Sequence, residues 1–204
     1  MSKNLPNFSL EEEHFGIVAG IDEAGRGPLA GPVVAACAIL QKNNYPLALN
    51  DSKKLSSKKR EEIFLHLKVS AKFGIGVVSE KIIDEINILN ATKLAMKLSF
   101  ENLCEKYQLI PDMVLVDGNF IPQIKSKAQA IIKGDSKSLS IAAASVIAKE
   151  TRDKIMIDLD SEFPGYGWRE NMAYPTKFHL EKIKELGVCI YHRKSFAPIK
   201  SQIC

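Results

Sequence analysis

Gly16-Ile-Val-Ala-Gly-Ile-Asp-Glu-Ala-Gly-Arg-Gly-Pro-Leu-Ala-Gly-Pro-Val-Val-Ala-Ala-Cys-Ala-Ile-Leu40 is the stretch that decides the fold. Phe15 to Ile21 reads as a buried strand ending at Asp22. Gly25 to Pro32 contains three glycines and two prolines, through which neither a strand nor a helix can run. Val33 to Leu40 reads as a second strand returning from that turn. Two acids, Asp22 and Glu23, are therefore expected where the first strand ends.

Working outward, Ser57 to Val69 has a Ser cap and an apolar face of Ile63, Phe64 and Leu67, which predicts a helix. Lys72 to Val78 predicts a third strand, and Glu80 to Tyr107 a helix in two pieces broken near Asn87 to Asn90. Met113 to Val116 is a short strand with Asp117 at its end. Ala128 to Ile132 is a fifth strand, followed by Lys133-Gly-Asp135. A long helix runs from Ser140 to about Phe163, its first turns rich in small residues that allow close packing on a sheet. Thr176 and Gly187 cap a last helix, Thr176 to Leu186. Strands first, then alternating helix and strand, then helices, predict an α/β fold with a mixed five-stranded sheet flanked by helices. Residues 1–13 read as a loose polar lead-in, 14–163 as the core, and 164–204 as a helical extension packed on it.

The chain has 204 residues, 46% hydrophobic and 25% charged, with net charge +4. That is ordinary for a globular protein and compatible with a polyanionic partner. No apolar run approaches the ~18 residues that a membrane span needs. The first residues lack the build of a secretory signal, so a cytoplasmic protein without membrane contact is expected. Cys37, Cys104, Cys189 and Cys204 are scattered and contain no C-x-x-C pair, which favours free thiols over disulfides or zinc.

Three acidic positions fall at predicted strand ends: Asp22 with Glu23, Asp117 and Asp135. In open α/β sheets ligands gather beyond strand ends. An aspartate there is also an ordinary turn former. A carboxylate cluster without His or Cys suits a hard cation, Mg²⁺ or Mn²⁺, and two such ions can drive phosphodiester hydrolysis. Adjacent strand side chains point to opposite faces, so Asp22 and Glu23 share a site only if the strand ends there, or if Glu23 contributes through its main-chain carbonyl.

The order of the motifs resembles bacterial ribonuclease HII. Gly20-Ile-Asp-Glu-Ala-Gly-Arg-Gly27 is joined by Asp51-Ser-Lys-Lys-Leu55, Val116-Asp-Gly-Asn119, Lys133-Gly-Asp-Ser-Lys-Ser138 and Ala143-Ala-Ser-Val-Ile-Ala-Lys149. Thr151-Arg-Asp153, Phe163-Pro-Gly-Tyr-Gly167, Tyr174-Pro-Thr-Lys-Phe-His179 and His192-Arg-Lys-Ser-Phe196 complete the set, which spans about Gly16 to Pro198. The resemblance implies a ribonuclease H-like fold with a C-terminal helical extension. It implies an endoribonuclease for RNA/DNA hybrids and single ribonucleotides in duplex DNA, cutting on the 5′ side to leave a 3′-hydroxyl and a 5′-phosphate. Asp22, Glu23, Asp117 and Asp135 match the family's catalytic, metal-binding acids, serving two Mn²⁺ or Mg²⁺ ions. Asp153, in mid-helix, is read as structural. Gly25, Arg26 and Gly27 match the loop that contacts the ribonucleotide, whose 2′-hydroxyl alone marks RNA locally. Tyr174 matches a tyrosine stacked near the RNA-to-DNA junction. Lys53, Lys54, Lys137, Lys177, Arg193 and Lys194 are expected phosphate contacts, which should make binding salt-sensitive.

One departure stands out. The family usually carries Lys-Gly before the tyrosine, and this chain has Met172-Ala173, with loss of a basic contact and of backbone freedom. A monomer is expected. The resemblance admits a sliding-clamp partner, for which the tail Ser195 to Cys204 offers no clear motif. Three other functions fit less well. A phosphate-loop enzyme would need Gly-Lys-Ser/Thr after Gly25 to Gly31. A non-catalytic binder would not need all four acids, and a DNA-junction nuclease would not need the Gly-Arg-Gly loop.

Overall fold

The computed structural model describes residues 5–202. A five-stranded sheet has the order β3-β2-β1-β4-β5. The strands are β1 (Val18–Ala24), β2 (Val33–Ile39), β3 (Lys72–Val78), β4 (Met113–Asp117) and β5 (Lys127–Ile131). β1, β2 and β3 pair antiparallel, while β1–β4 and β4–β5 are parallel, so the sheet is mixed as expected. The helices are α1 (Ser9–Glu12), α2 (Ser57–Ser70), α3 (Glu80–Tyr107), α4 (Leu139–Glu162), α5 (Trp168–Asn171) and α6 (Lys177–Leu186). No helix among the described residues is long and apolar enough to cross a membrane.

Strand alternation divides β1 between two layers. Ala19 and Ile21 join α3 residues Ile83, Ala91, Ala95 and Met96 in one core cluster. Gly20 faces α4, whose small residues Ala142, Ala143 and Ala144 pack with Ala36 and Ala38 of β2 on the other face. A methyl group at Gly20 would overlap the backbone of Ser140 and Ile141. Because that obstacle is backbone, Gly20→Ala is expected to destabilise the fold by about 3 kcal/mol, the upper part of the overpacking range. Urea denaturation reads this, and a loss under ~1 kcal/mol would contradict so close a contact.

Two local findings differ from the sequence reading. β1 starts and ends later than Phe15 to Ile21. Phe15 is 99% exposed, and Gly16 has φ +84, a left-handed turn that sets the chain into the sheet only at Val18. The lead-in also carries built structure. Asn7 bridges to Ser138, and Glu11 is buried, its Oε1 accepting hydrogen bonds from Ser138 Oγ (2.7 Å) and Ser140 N (2.9 Å). It thus satisfies free donors at the start of α4. The predicted break in the long helix is real: Asn87 has φ 66 and ψ 163, and its Oδ1 caps Asn90 N.

The C-terminal residues pack as one cluster against the Gly25–Pro32 turn. Leu29, Ala30 and Met156 meet Tyr166, Trp168, Ala173, Ile183 and Ile199. Ile199 is fully buried and Phe196 packs at the edge of the same cluster, so this part of the tail is not free to enter a partner's pocket.

Candidate active site

β1 pairs with β4 only as far as Ile21↔Val116. The next residues along, Asp22 and Asp117, stand side by side where two parallel strands part. β1 itself continues to Ala24 against β2, with Asp22↔Ala36 and Glu23↔Ala35. The strand therefore does not end at Asp22. Asp22 lies on the α4 face beside Ser145, and alternation puts Glu23 on the α3 face. Beyond β5 the chain turns at Lys133, φ 56, into a 3₁₀ turn at Gly134–Ser136. Gly134 N donates to Asp117 Oδ1 at 2.6 Å, which ties the Asp135 turn to the end of β4. The four acids thus come from three adjacent strands: from within β1, from the end of β4 and from the turn beyond β5.

The electrostatics are those of a site short of positive charge. Asp22 is 5% exposed. Burial, then Glu23 and Asp117, hold its carboxyl well above the usual range. Burial also raises Glu23, with Arg26 working against it. Burial, then Asp51 and Asp117, raise Asp135, which is 8% exposed. Lys53 answers this field. Burial opposes its charge, yet Asp22, Asp135, Asp51 and Asp117 together raise its pKa. An all-oxygen, like-charged donor set fits a hard divalent cation. Among the described residues no three such groups already converge on one ion position.

A cleft of about 450 Å³ opens beside the acids. Glu23, Gly25, Arg26, Gly27, Lys53 and Tyr174 line it. A larger groove of about 1020 Å³ lies between the end of α3 and Gln123–Lys125 and contains none of the strand-end acids. Arg26 is exposed, 3.4 Å from Glu23 Oε1, with its guanidinium 5.8 Å from the Phe120 ring centre. Tyr174 is 43% exposed, with its ring edge beside Gly27. Met172 and Ala173 before it both adopt left-handed backbone, φ 48 and 61. The turn is thus formed without glycine, at ~1–2 kcal/mol per residue, and it is held by Leu29 N donating to Ala173 O (2.8 Å).

Arg193 does not do what the sequence suggests. It is fully buried, and its guanidinium donates five hydrogen bonds to the carbonyls of Gly25, Arg26, Pro28 and Gly31. No donor is left for a phosphate. Arg152 works beside it, on the carbonyls of Ala30, Pro32 and Met172. Across a trans peptide the C=O and the next N–H point in opposite directions. With the Gly25 and Arg26 carbonyls drawn inward, the N–H groups of Arg26 and Gly27 point away from Arg193. Burial and Arg152 push Arg193 down to about 9, which leaves it charged at neutral pH.

The other expected phosphate contacts spread out. Lys137 is exposed but outside the cleft lining. Lys54 lies 3.6 Å from Asp51, and Lys177 3.9 Å from Glu181. Lys194 is exposed, and its backbone N donates to Asp84. Asp153 pairs with Arg60 (3.2 Å) and Lys149 (2.7 Å), a structural role as read. Sequence reading passed over Asp51 and Ser145, which touch the acid cluster. Both stand in the quoted motif blocks, but as a turn residue and a helix residue they carried no sign of facing Asp135 and Asp22.

The ribonuclease HII family model matches residues 19–199. A ribonuclease HII of Desulfotalea psychrophila is 52% identical over 202 residues, covering 97% of this chain and 89% of the relative. The solved ribonuclease H2 of Pyrococcus horikoshii aligns with TM-score 0.72 at 27% identity, over 91% of this chain and 96% of that one. The Archaeoglobus fulgidus RNase HII, solved as a complex with PCNA, gives TM-score 0.73 at 26% identity, over 89% and 95%. On the extent of these matches and the ribonuclease H-like sheet, the chain belongs to the ribonuclease HII family, a family of ribonuclease H enzymes.

Proposed function

We propose that this protein is an endonuclease that hydrolyses the RNA strand of RNA/DNA hybrids and nicks duplex DNA 5′ to a single embedded ribonucleotide, leaving a 3′-hydroxyl and a 5′-phosphate. The observation that carries it is the placement of Asp22 and Asp117 side by side on neighbouring parallel strands, with the Asp135 turn tied to Asp117 through Gly134 N, next to a cleft lined by Glu23, Gly25, Arg26, Gly27 and Tyr174. These four acids would hold two Mg²⁺ or Mn²⁺ ions. When bound, they would supply the activation of a water and the stabilisation of the leaving oxygen.

The chain's own residues supply orientation and selectivity. The outward N–H groups of Arg26 and Gly27 offer donors to a sugar hydroxyl at close range, where a larger side chain than Gly27 would meet the Tyr174 ring. Tyr174 supports the sugar-base unit next to it, and its apolar face excludes water there. Lys53 lies close enough to the acids to balance their charge before substrate enters, and then to meet a phosphate. Although β1 runs on past it, the Glu23 carboxylate lies close enough to Asp22 and Asp117 to share their field, so in this role Glu23 acts through its side chain, which also faces Arg26 and the cleft. Lys137, outside the lining, is left for backbone contacts farther along the duplex.

A metal-withdrawal assay tests the reading. Protein treated with EDTA should leave an RNA/DNA hybrid intact, and added Mg²⁺ or Mn²⁺ should restore cutting. Cutting that persists in EDTA, or none with either ion, would exclude it.

A further inference from the structure

Beneath Tyr174 lies a buried chain of rings that the chemistry above does not use. Trp168 Nε1 donates to His179 Nε2 at 3.0 Å. His179 Nε2 lies 3.3 Å from His192 Nε2. His179 Nδ1 lies 3.0 Å from the Tyr174 carbonyl, and Cys189 N donates to His192 Nδ1 at 3.1 Å. Both histidines are buried.

The partners determine where the protons sit. A carbonyl only accepts, so His179 carries its hydrogen on Nδ1 and donates to Tyr174 O. An indole N–H only donates, so His179 Nε2 is bare. The Cys189 amide also only donates, so His192 Nδ1 is bare and its hydrogen is on Nε2, aimed at His179 Nε2. Two donors thus converge on one ring nitrogen, and both rings are neutral. A proton added to His179 Nε2 would face two N–H groups, and one added to His192 Nδ1 would face the Cys189 amide.

We propose that His179, fixed from behind by His192 and Trp168, is the positioning residue that sets Tyr174 against the Gly25-Arg-Gly27 loop, and that the neutral state of this histidine pair is required for it. The proposal rests on the reading of Tyr174 as a substrate contact. The geometry leaves the tyrosine little other freedom. Tyr174 N donates to Asn171 O (2.8 Å), and Tyr174 O also accepts from Thr176 N (2.7 Å). The left-handed turn at Met172-Ala173 is held by Arg152 on the Met172 carbonyl and Leu29 N on the Ala173 carbonyl, and His179 fixes the next carbonyl, that of Tyr174, from the α6 side.

The groups around the pair do not offset added charge. Tyr166 packs edge-on against both rings, with centres 6.3 and 4.9 Å away. The Cys189 thiol is 3.2 Å from His192 Nδ1. Tyr191 packs behind Trp168 and points its hydroxyl at Glu162. Arg193 follows His192 in the chain and faces Glu80 and Asp84 on α3, and Arg152 of α4 holds the Met172 carbonyl. Among the described residues no carboxylate hydrogen-bonds either imidazole. Burial lowers His179, and burial with His179 pushes His192 down to about 4.

Trp168 is the only tryptophan, so its fluorescence reports on the pair directly. The emission should stay flat from neutral pH down through the ordinary histidine range near ~6.5, and then quench as His192 protonates near about 4. With a DNA duplex holding one ribonucleotide, His179→Leu should lower kcat about 10-fold with less change in KM. His179→Asn, whose amide nitrogen can take the place of Nδ1, should recover most of that. In a Tyr174→Ala background His179→Leu should cost nothing further. Losses that add, or His179→Leu equal to the wild type, would overturn the proposal. If His179→Leu does not fold, His179→Asn and His179→Gln at neutral pH decide: the asparagine, which can reach the Tyr174 carbonyl from the Nδ1 position, should keep most of the rate and the longer glutamine should lose it, and equal rates from the two would be contrary. A wild type that does not nick overturns the proposed function together with this inference, whereas nicking with additive losses overturns this inference alone.

Discussion

Asp22→Asn should lose at least about a thousandfold in cleavage rate and yet leave the metal-free protein more stable. Both effects have the same source. Asp22 is buried beside Glu23 and Asp117, so its charge is unfavourable without a cation and necessary for binding one. Asparagine keeps the local hydrogen bonds. Its Oδ1 can accept from Glu23 N as Asp22 does at 2.7 Å, and its amide can meet Ser145. What it removes is the buried charge, so the metal-free variant should gain stability at neutral pH.

The pH dependence follows from the direction of the shift. The folded pKa of Asp22 is raised, so the folded state keeps its proton while the unfolded chain has lost its own. The favourable contribution is full below the unfolded value, ~3.9, and is lost as pH rises through the folded value. The stability gap between Asp22→Asn and the wild type should therefore be widest at neutral pH and shrink on acidification. Urea denaturation in EDTA at two pH values reads it. An asparagine variant less stable than the wild type at neutral pH would contradict the picture of an unbalanced charge cluster.

Arg193→Met should lower stability by about 3–5 kcal/mol, because four buried carbonyls lose their donors. Met has nearly the volume and none of the hydrogen bonds. Arg193→Lys should not rescue it, since one ammonium cannot span the carbonyls of Gly25, Arg26, Pro28 and Gly31. If Arg193 were a phosphate contact, as its charge alone suggests, the same change would weaken nucleic-acid binding and its salt dependence while leaving the melting temperature in place. Thermal denaturation of the free protein separates the two roles.

The contrast between Arg193 and the four acids shows what a sequence can and cannot reveal. The acids are legible because each follows a short apolar run and precedes glycine or a turn, a local pattern. The β3 strand and the break at Asn87 are equally local, and the structure has both. Arg193 and Glu11 are polar residues whose partners lie far along the chain. Arg193 reaches back to Gly25 and Glu11 forward to Ser140, and no local pattern marks a charge as buried. Phe15 fails in the opposite sense. It extends the apolar run before β1, but β4 offers a partner only from Met113, opposite Val18. Pattern marks Met113 as the start of that strand, but not its register opposite Val18.

On the function proposed above, Asp22, Glu23, Asp117, Asp135 and the Gly25-Arg-Gly27 loop would together make a nuclease selective for ribose. The most direct measurement is a labelled DNA duplex with one ribonucleotide, incubated with Mg²⁺ or Mn²⁺, and mapping of the product ends. The expected result is a single nick 5′ to the ribonucleotide with a 3′-hydroxyl and a 5′-phosphate, none in the all-DNA duplex, and almost none from Asp135→Asn. An intact ribonucleotide duplex with the wild type, or an undiminished nick from Asp135→Asn, would contradict it.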